Sequence, residues 1–123
     1  MVLVTSNKQQ RLLCMNYVQR VSQAELAGAR TEVEALLVDL PPELRLLVDL
    51  SQVEFMEPDG LNEIGRSMDL INQHGVGLIV RVIPDSSKDI GLNILTVFHY
   101  VHHPRVITCQ NLAEALKQLA LWV

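Results

Sequence analysis

The chain has no surplus of basic residues, very little cysteine and no long apolar run, and each absence closes off a class of function. Lys and Arg number 10 against 14 Asp and Glu, a formal net charge of −4. Phosphate backbones attract a surplus of Lys and Arg, and no basic run occurs here, so nucleic acid is not an expected partner. No apolar stretch reaches the roughly 18 residues of a membrane span, and Arg81 interrupts the best candidate, Val76–Ile83. The start, Met1-Val2-Leu3-Val4-Thr5, lacks the basic region of a secretory signal and soon turns polar. A soluble, cytoplasmic protein is expected. Two cysteines, Cys14 and Cys109, sit far apart inside apolar runs and read as buried thiols in a reducing compartment.

What is present suits one domain spanning residues 1–123. The chain has 123 residues, 49% of them hydrophobic and 20% charged, ordinary values for a fold with one core. At this size roughly two-thirds of the unfolded chain's surface can be buried without a covalent staple. There is no internal repeat, linker or low-complexity segment.

Periodicity supplies the elements. Met1–Gln10 opens with a short apolar run suited to an edge strand, and Leu12–Val18 is rich in large and β-branched residues, as strands are. Ser22-Gln23-Ala24-Glu25 matches a capping box, and Leu26, Ala29, Val33, Leu36, Leu37 and Leu40 then follow at helical spacing up to Pro41-Pro42. Leu44–Leu50 is nearly all apolar, which suits a central strand buried on both faces. A second helix is expected from Gly60, with Leu61, Ile64, Met68 and Ile71 on one face, Gly65 allowing close packing and Gly75 capping its end. Val76–Ile83 is the next strand. A third helix is expected over 90–101, capped by Ser86 with Asp89, then a short strand at Arg105–Cys109 and a last helix from Asn111. Repeated strand–helix units imply an α/β fold, a mixed and mainly parallel sheet of about five strands with four helices.

Sites in such sheets gather where strands end and helices begin. Two turns qualify, Ser51–Gly60 and Pro84–Asp89. The first reads Leu47-Val48-Asp49-Leu50-Ser51-Gln52-Val53-Glu54-Phe55-Met56, then Glu57-Pro58-Asp59-Gly60-Leu61. It resembles the signature of STAS domains, the anti-sigma factor antagonists and their relatives, whose pattern is an apolar strand, Asp-Leu-Ser-x-Val-x-Phe-Met/Ile, then Asp-Ser-Ser-Gly-Leu. The resemblance covers roughly Leu12 to Leu119. It implies a four- or five-stranded sheet with helices on one side and, in typical members, binding to an anti-sigma kinase that ends when a Ser at the start of the second helix is phosphorylated. This chain departs from the pattern where the switch sits. With Gly60 as the family glycine, Glu57, Pro58 and Asp59 replace Asp-Ser-Ser, and Pro58 has no hydroxyl to accept phosphate. Asp59 supplies one fixed charge, a partial mimic of phosphoserine, or it is simply the helix N-cap. Glu57 reads as a solvated loop charge sooner than as an acid or base.

The second turn, Pro84-Asp85-Ser86-Ser87-Lys88-Asp89, holds the candidate replacement phosphorylation sites, Ser86 and Ser87. Ser86, Ser87 and Lys88 at a helix start suit an anion, while the plain alternative is a cap and a solvated lysine. His99 and His103 are four apart, but no Cys or carboxylate completes a metal set, and a helix C-terminus accounts for them. No metal or cofactor is expected. There is no phosphate-binding loop, no Gly-x-Ser-x-Gly and no Cys-x-x-Cys. Catalysis would need Asp49, Glu57 and Asp59 to converge, where like charges raise a pKa.

The resulting expectation is a non-enzymatic, protein-binding regulatory module. Its partner surface would comprise Glu57, Pro58, Asp59, Gly60, Asn62 and Arg66 with Ser86, Ser87 and Lys88. The partner would be an anti-sigma factor or related regulator, and a homodimer is one arrangement open to it. The alternative is a carrier of a small apolar or lipid-like ligand beside the helix 90–101, whose residues Ile90, Leu92, Ile94, Leu95, Val97, Phe98, Tyr100 and Val101 are apolar nearly all round.

Overall fold

A computed structural model describes residues 1–84 and 99–121. Strands β1 (Val2–Asn7) and β2 (Leu12–Val21) form an antiparallel hairpin. Helix α1 (Gln23–Leu37) leads into β3 (Leu44–Met56), a single 3-10 turn (Pro58–Gly60) and helix α2 (Leu61–His74). Strand β4 (Val76–Val82) follows, then β5 (Arg105–Cys109) and helix α3 (Leu112–Leu121). The sheet order is β1-β2-β3-β4-β5, with β1 antiparallel and every other neighbour pair parallel. This is the mixed five-stranded sheet the sequence implies. The described residues contain three α-helices, one fewer than expected. The missing one, over 90–101, lies almost wholly outside the described residues, as do Ser86, Ser87, Lys88 and Asp89.

Local chemistry explains where the helices begin. Ser22 caps α1: its hydroxyl accepts from the Glu25 amide at 3.1 Å, and Glu25 accepts from the Ser22 amide at 3.3 Å. The pair satisfies two amides that an uncapped helix would leave free. Leu26, Ala29, Val33 and Leu37 are the buried face. The helix ends at Leu37, ahead of the prolines, and a turn through Leu40 carries the chain to them. At the end of α2, Gly75 takes a φ of 107°, a conformation that side chains resist, and its amide still donates to the Ile71 carbonyl at 3.0 Å.

Alternation along the strands divides the core in two. Leu13, Met15, Tyr17, Leu44, Leu46, Leu50 and Ile79 pack with α1 and α2 through Leu26, Val33, Leu37, Ile64 and Ile71. Leu47, Leu78, Val80, Val82 and Cys109 pack on the opposite face with Ala115 and Leu119 of α3. Helices therefore cover both faces, not the one side implied by the family resemblance. Burial pushes the Tyr17 and Tyr100 phenols far above their ordinary range, with the charge of Asp69 and the neighbouring Tyr17 phenol adding to the effect on Tyr100. Both cysteines are free thiols. Cys109 is buried as expected, but Cys14 is only half-buried, at the margin of the cluster that Ala115 and Leu119 complete.

Among the described residues, Arg45, Asp49, Glu63 and Arg81 are charged and buried. Arg45 of β3 is 8% exposed. Its guanidinium donates to the Leu119 carbonyl at 2.7 Å and to the Gln10 carbonyl at 2.8 and 3.2 Å. A cation at the carbonyl end of α3 meets the negative end of the helix dipole.

Candidate functional site

The stretch from Asp49 to Arg66 starts where β3 loses a neighbour. Pairing of β3 with β4 ends at Asp49–Val82, whereas pairing with β2 continues to Val21–Met56. Past Asp49 the two strands run on as a ribbon, irregular at Asn16–Val18 and Gln19–Arg20, with Gln19 at a φ of 58°. The Asp49 carboxylate, on a residue 8% exposed, accepts from the Ser51 amide at 2.9 Å and the Ser51 hydroxyl at 2.6 Å. The Asp-Leu-Ser element thus closes the strand edge at the point where β4 stops. On the ribbon, the Arg20 guanidinium lies 4.9 Å from the centre of the Phe55 ring, and that ring is 45% exposed.

Beyond the ribbon, Glu57 joins three elements. Its amide donates to Val21 of β2 at 3.0 Å, and its carbonyl accepts from Gly60 at 2.9 Å. Its carboxylate accepts from the Gln23 amide, the first of α1, at 3.2 Å. Pro58 opens the 3-10 turn, where its missing N–H costs nothing and its fixed φ suits the geometry. Asp59 is exposed within the turn, and the N-cap of α2 is Gly60, without a side-chain cap. The expected N-cap role of Asp59 is therefore not the one it takes, because the 3-10 turn moves the helix start one residue on. Gly60 is buried against α1, and a Cβ there would collide with the Leu26 side chain.

On α2 the exposed Leu61, Asn62 and Arg66 lie beside the turn. Glu63 faces inward: its carboxylate takes Arg30 of α1 at 2.8 Å and, more loosely, Arg66 at 3.4 Å. One turn further, Gly65 gives room to the His99 ring, whose Nε2 lies 2.6 Å from where a Cβ would stand. The His99 Nδ1 is 2.6 Å from the Asp69 carboxylate, so His99 has a carboxylate on α2 as its neighbour. No group of three or more metal-ligating side chains occurs among the described residues.

No family model matches the sequence, and no curated protein does. Solved structures do. The chain superposes on the anti-sigma factor antagonist SpoIIAA in its unphosphorylated form, with a TM-score of 0.67 and 8% identity over 98% of each chain. The fold is STAS-like. An anti-sigma factor antagonist from Mycobacterium paratuberculosis is similar at a TM-score of 0.60 and 19% identity, over 98% of this chain and 93% of that one. An uncharacterised protein from Shewanella loihica with a SpoIIAA-like fold reaches a TM-score of 0.68 at 10% identity, over 97% of this chain and 92% of that one.

On this STAS-like frame the named site residues divide. Pro58, Asp59, Asn62 and Arg66 are exposed around one turn, Gly60 is buried beneath them, and Glu57 is exposed but tied to α1. The three carboxylates do not converge. Asp49 belongs with Leu47 on the α3 side of the sheet and is held by Ser51, Glu57 is bonded to α1 on the other side, and Asp59 is at the surface. Two polar contributors had no sequence signal, Gln23 and Arg30. Both act through partners more than 30 positions away, Glu57 and Glu63.

Proposed function

We propose that this chain is a non-enzymatic regulatory module that binds a protein partner through the surface of the Glu57–Arg66 turn, without the serine phosphorylation switch of typical anti-sigma factor antagonists. One observation carries the reading. The turn that presents the acceptor serine in the family pattern is formed and exposed here, yet holds Pro58 and Asp59 in that place. A proline cannot be phosphorylated, and the Asp59 carboxylate places a fixed negative charge on the surface. The half-exposed Phe55 and Leu61 flank it and supply apolar contact area. The partner is an anti-sigma factor or related regulator in the cytoplasm. Regulation falls to phosphorylation of Ser86 or Ser87, next to Lys88 in the sequence.

Affinity purification of the full chain from its native cells, with Asp59→Lys alongside, tests this. A regulator bound by the wild type and weakened about tenfold or more by Asp59→Lys is the expected result, a change of about 1.4 kcal/mol. Recovery of no protein partner, together with a silent Asp59→Lys in cells, would remove the proposal.

A further inference from the structure

Resting on the reading of this turn as a docking surface, we infer that Glu57 is a positioning residue. It holds the Pro58–Gly60 turn in place from the start of α1. The carboxylate reaches the Gln23 amide at 3.2 Å, a contact between residues 34 apart in sequence. That amide is the first of α1 and has no partner within the helix, so a carboxylate is well placed to satisfy it and to meet the positive end of the helix dipole. The same residue anchors the turn on two other sides, through its amide to Val21 and its carbonyl from Gly60. Below it, Gly60 sits so closely on Leu26 that a Cβ would not fit. The turn is therefore seated on the first turns of α1 by one polar and one apolar contact. Asp59 and Asn62, with no such anchorage, are left to face the solvent.

Two substitutions remove the Glu57–Gln23 bond from opposite ends. Glu57→Ala deletes the acceptor. Gln23→Pro deletes the donor at a helix position where proline is well tolerated, following Ser22 in the extended conformation (φ −90°, ψ 162°) that precedes proline readily. Glu57→Gln keeps an acceptor oxygen and removes only the charge. In the full-length, isotope-labelled protein, hydrogen exchange at the Gly60 amide should speed up about tenfold in Glu57→Ala and in Gln23→Pro. The Asp59–Asn62 resonances should move with it. Glu57→Gln should restore both, and Asp59→Ala should leave the Gln23 resonance in place. The inference falls if Gln23→Pro leaves Gly60 exchange and the Asp59–Asn62 resonances unchanged, or if Glu57→Gln disturbs them as much as Glu57→Ala. Should Glu57→Ala not fold, Gln23→Pro and Glu57→Gln decide alone. No partner is needed, so this result is independent of whether one is found.

Discussion

Leu44–Leu50 and Ser51–Met56 are consecutive parts of one strand, yet they live in different surroundings. The first part has strand neighbours on both edges and helices over both faces, and nearly every residue in it is buried. The second keeps only β2 beside it and alternates between half-buried and exposed. The boundary is Asp49, whose carboxylate takes the Ser51 amide and hydroxyl where β4 has stopped. A strand can thus serve as core for half its length and as a platform for the rest, provided something caps the edge where support ends.

The contrast is broken most sharply by truncating one side chain in each part. Leu46, 1% exposed, should cost about 2–5 kcal/mol as Leu46→Ala, since a cavity in a two-sided core has little freedom to collapse. Phe55→Ala on the platform should cost about 1 kcal/mol or less, largely the contact with Arg20. Urea titrations of both would show it, and equal losses would mean that the ribbon is core after all. Next in size is the boundary itself. Asp49→Ala leaves the Ser51 amide without its acceptor and should cost about 1–3 kcal/mol, whereas Asp49→Asn keeps an oxygen in place and should lose clearly less.

The smallest effect is seen at high pH, on the buried side of the comparison. Tyr17 of β2 sits at the first strand irregularity, between Asn16 and Val18, and is buried, so its phenol ionises far less readily in the folded state than in the unfolded one. A group whose folded pKa is raised contributes stability that is complete below its unfolded value, about 10, and is lost above it. Tyr100 has the same sign. At pH 10.5 the loss should be on the order of 1 kcal/mol or less for each phenol. Tyr17→Phe should remove its share, and a flat profile between pH 9 and 10.5 would contradict the burial.

The parts of the molecule that were legible in the sequence are those encoded locally. The capping box at Ser22–Glu25, the apolar spacing of α1 and α2 and the buried run Leu44–Leu50 each rest on residues within a turn or two of one another. The extension of β3 through Phe55 and Met56 was hidden, because a ribbon with one neighbour and exposed side chains carries no run of buried residues. Glu63 reads as a surface charge on an amphipathic helix, and only Arg30 from another helix makes it an inward one. The same holds for Glu57, whose role depends on an amide at Gln23 that no spacing rule connects to it. The candidate site could be located from its turn chemistry, but what holds it together is non-local.

Arg45 has a consequence for how the protein is made. Its guanidinium sits in the central strand and is satisfied by Gln10, synthesised before it, and by Leu119, synthesised 74 residues after it. A nascent chain that has already emerged through β4 still lacks the carbonyl that completes the shell of this cation. At that stage the face that α3 later covers is open to water, which serves the guanidinium in place of the missing carbonyl. The last described helix is therefore more than a cover: as it docks and takes the guanidinium out of solvent, its Leu119 carbonyl supplies the hydrogen bond that burial would otherwise remove.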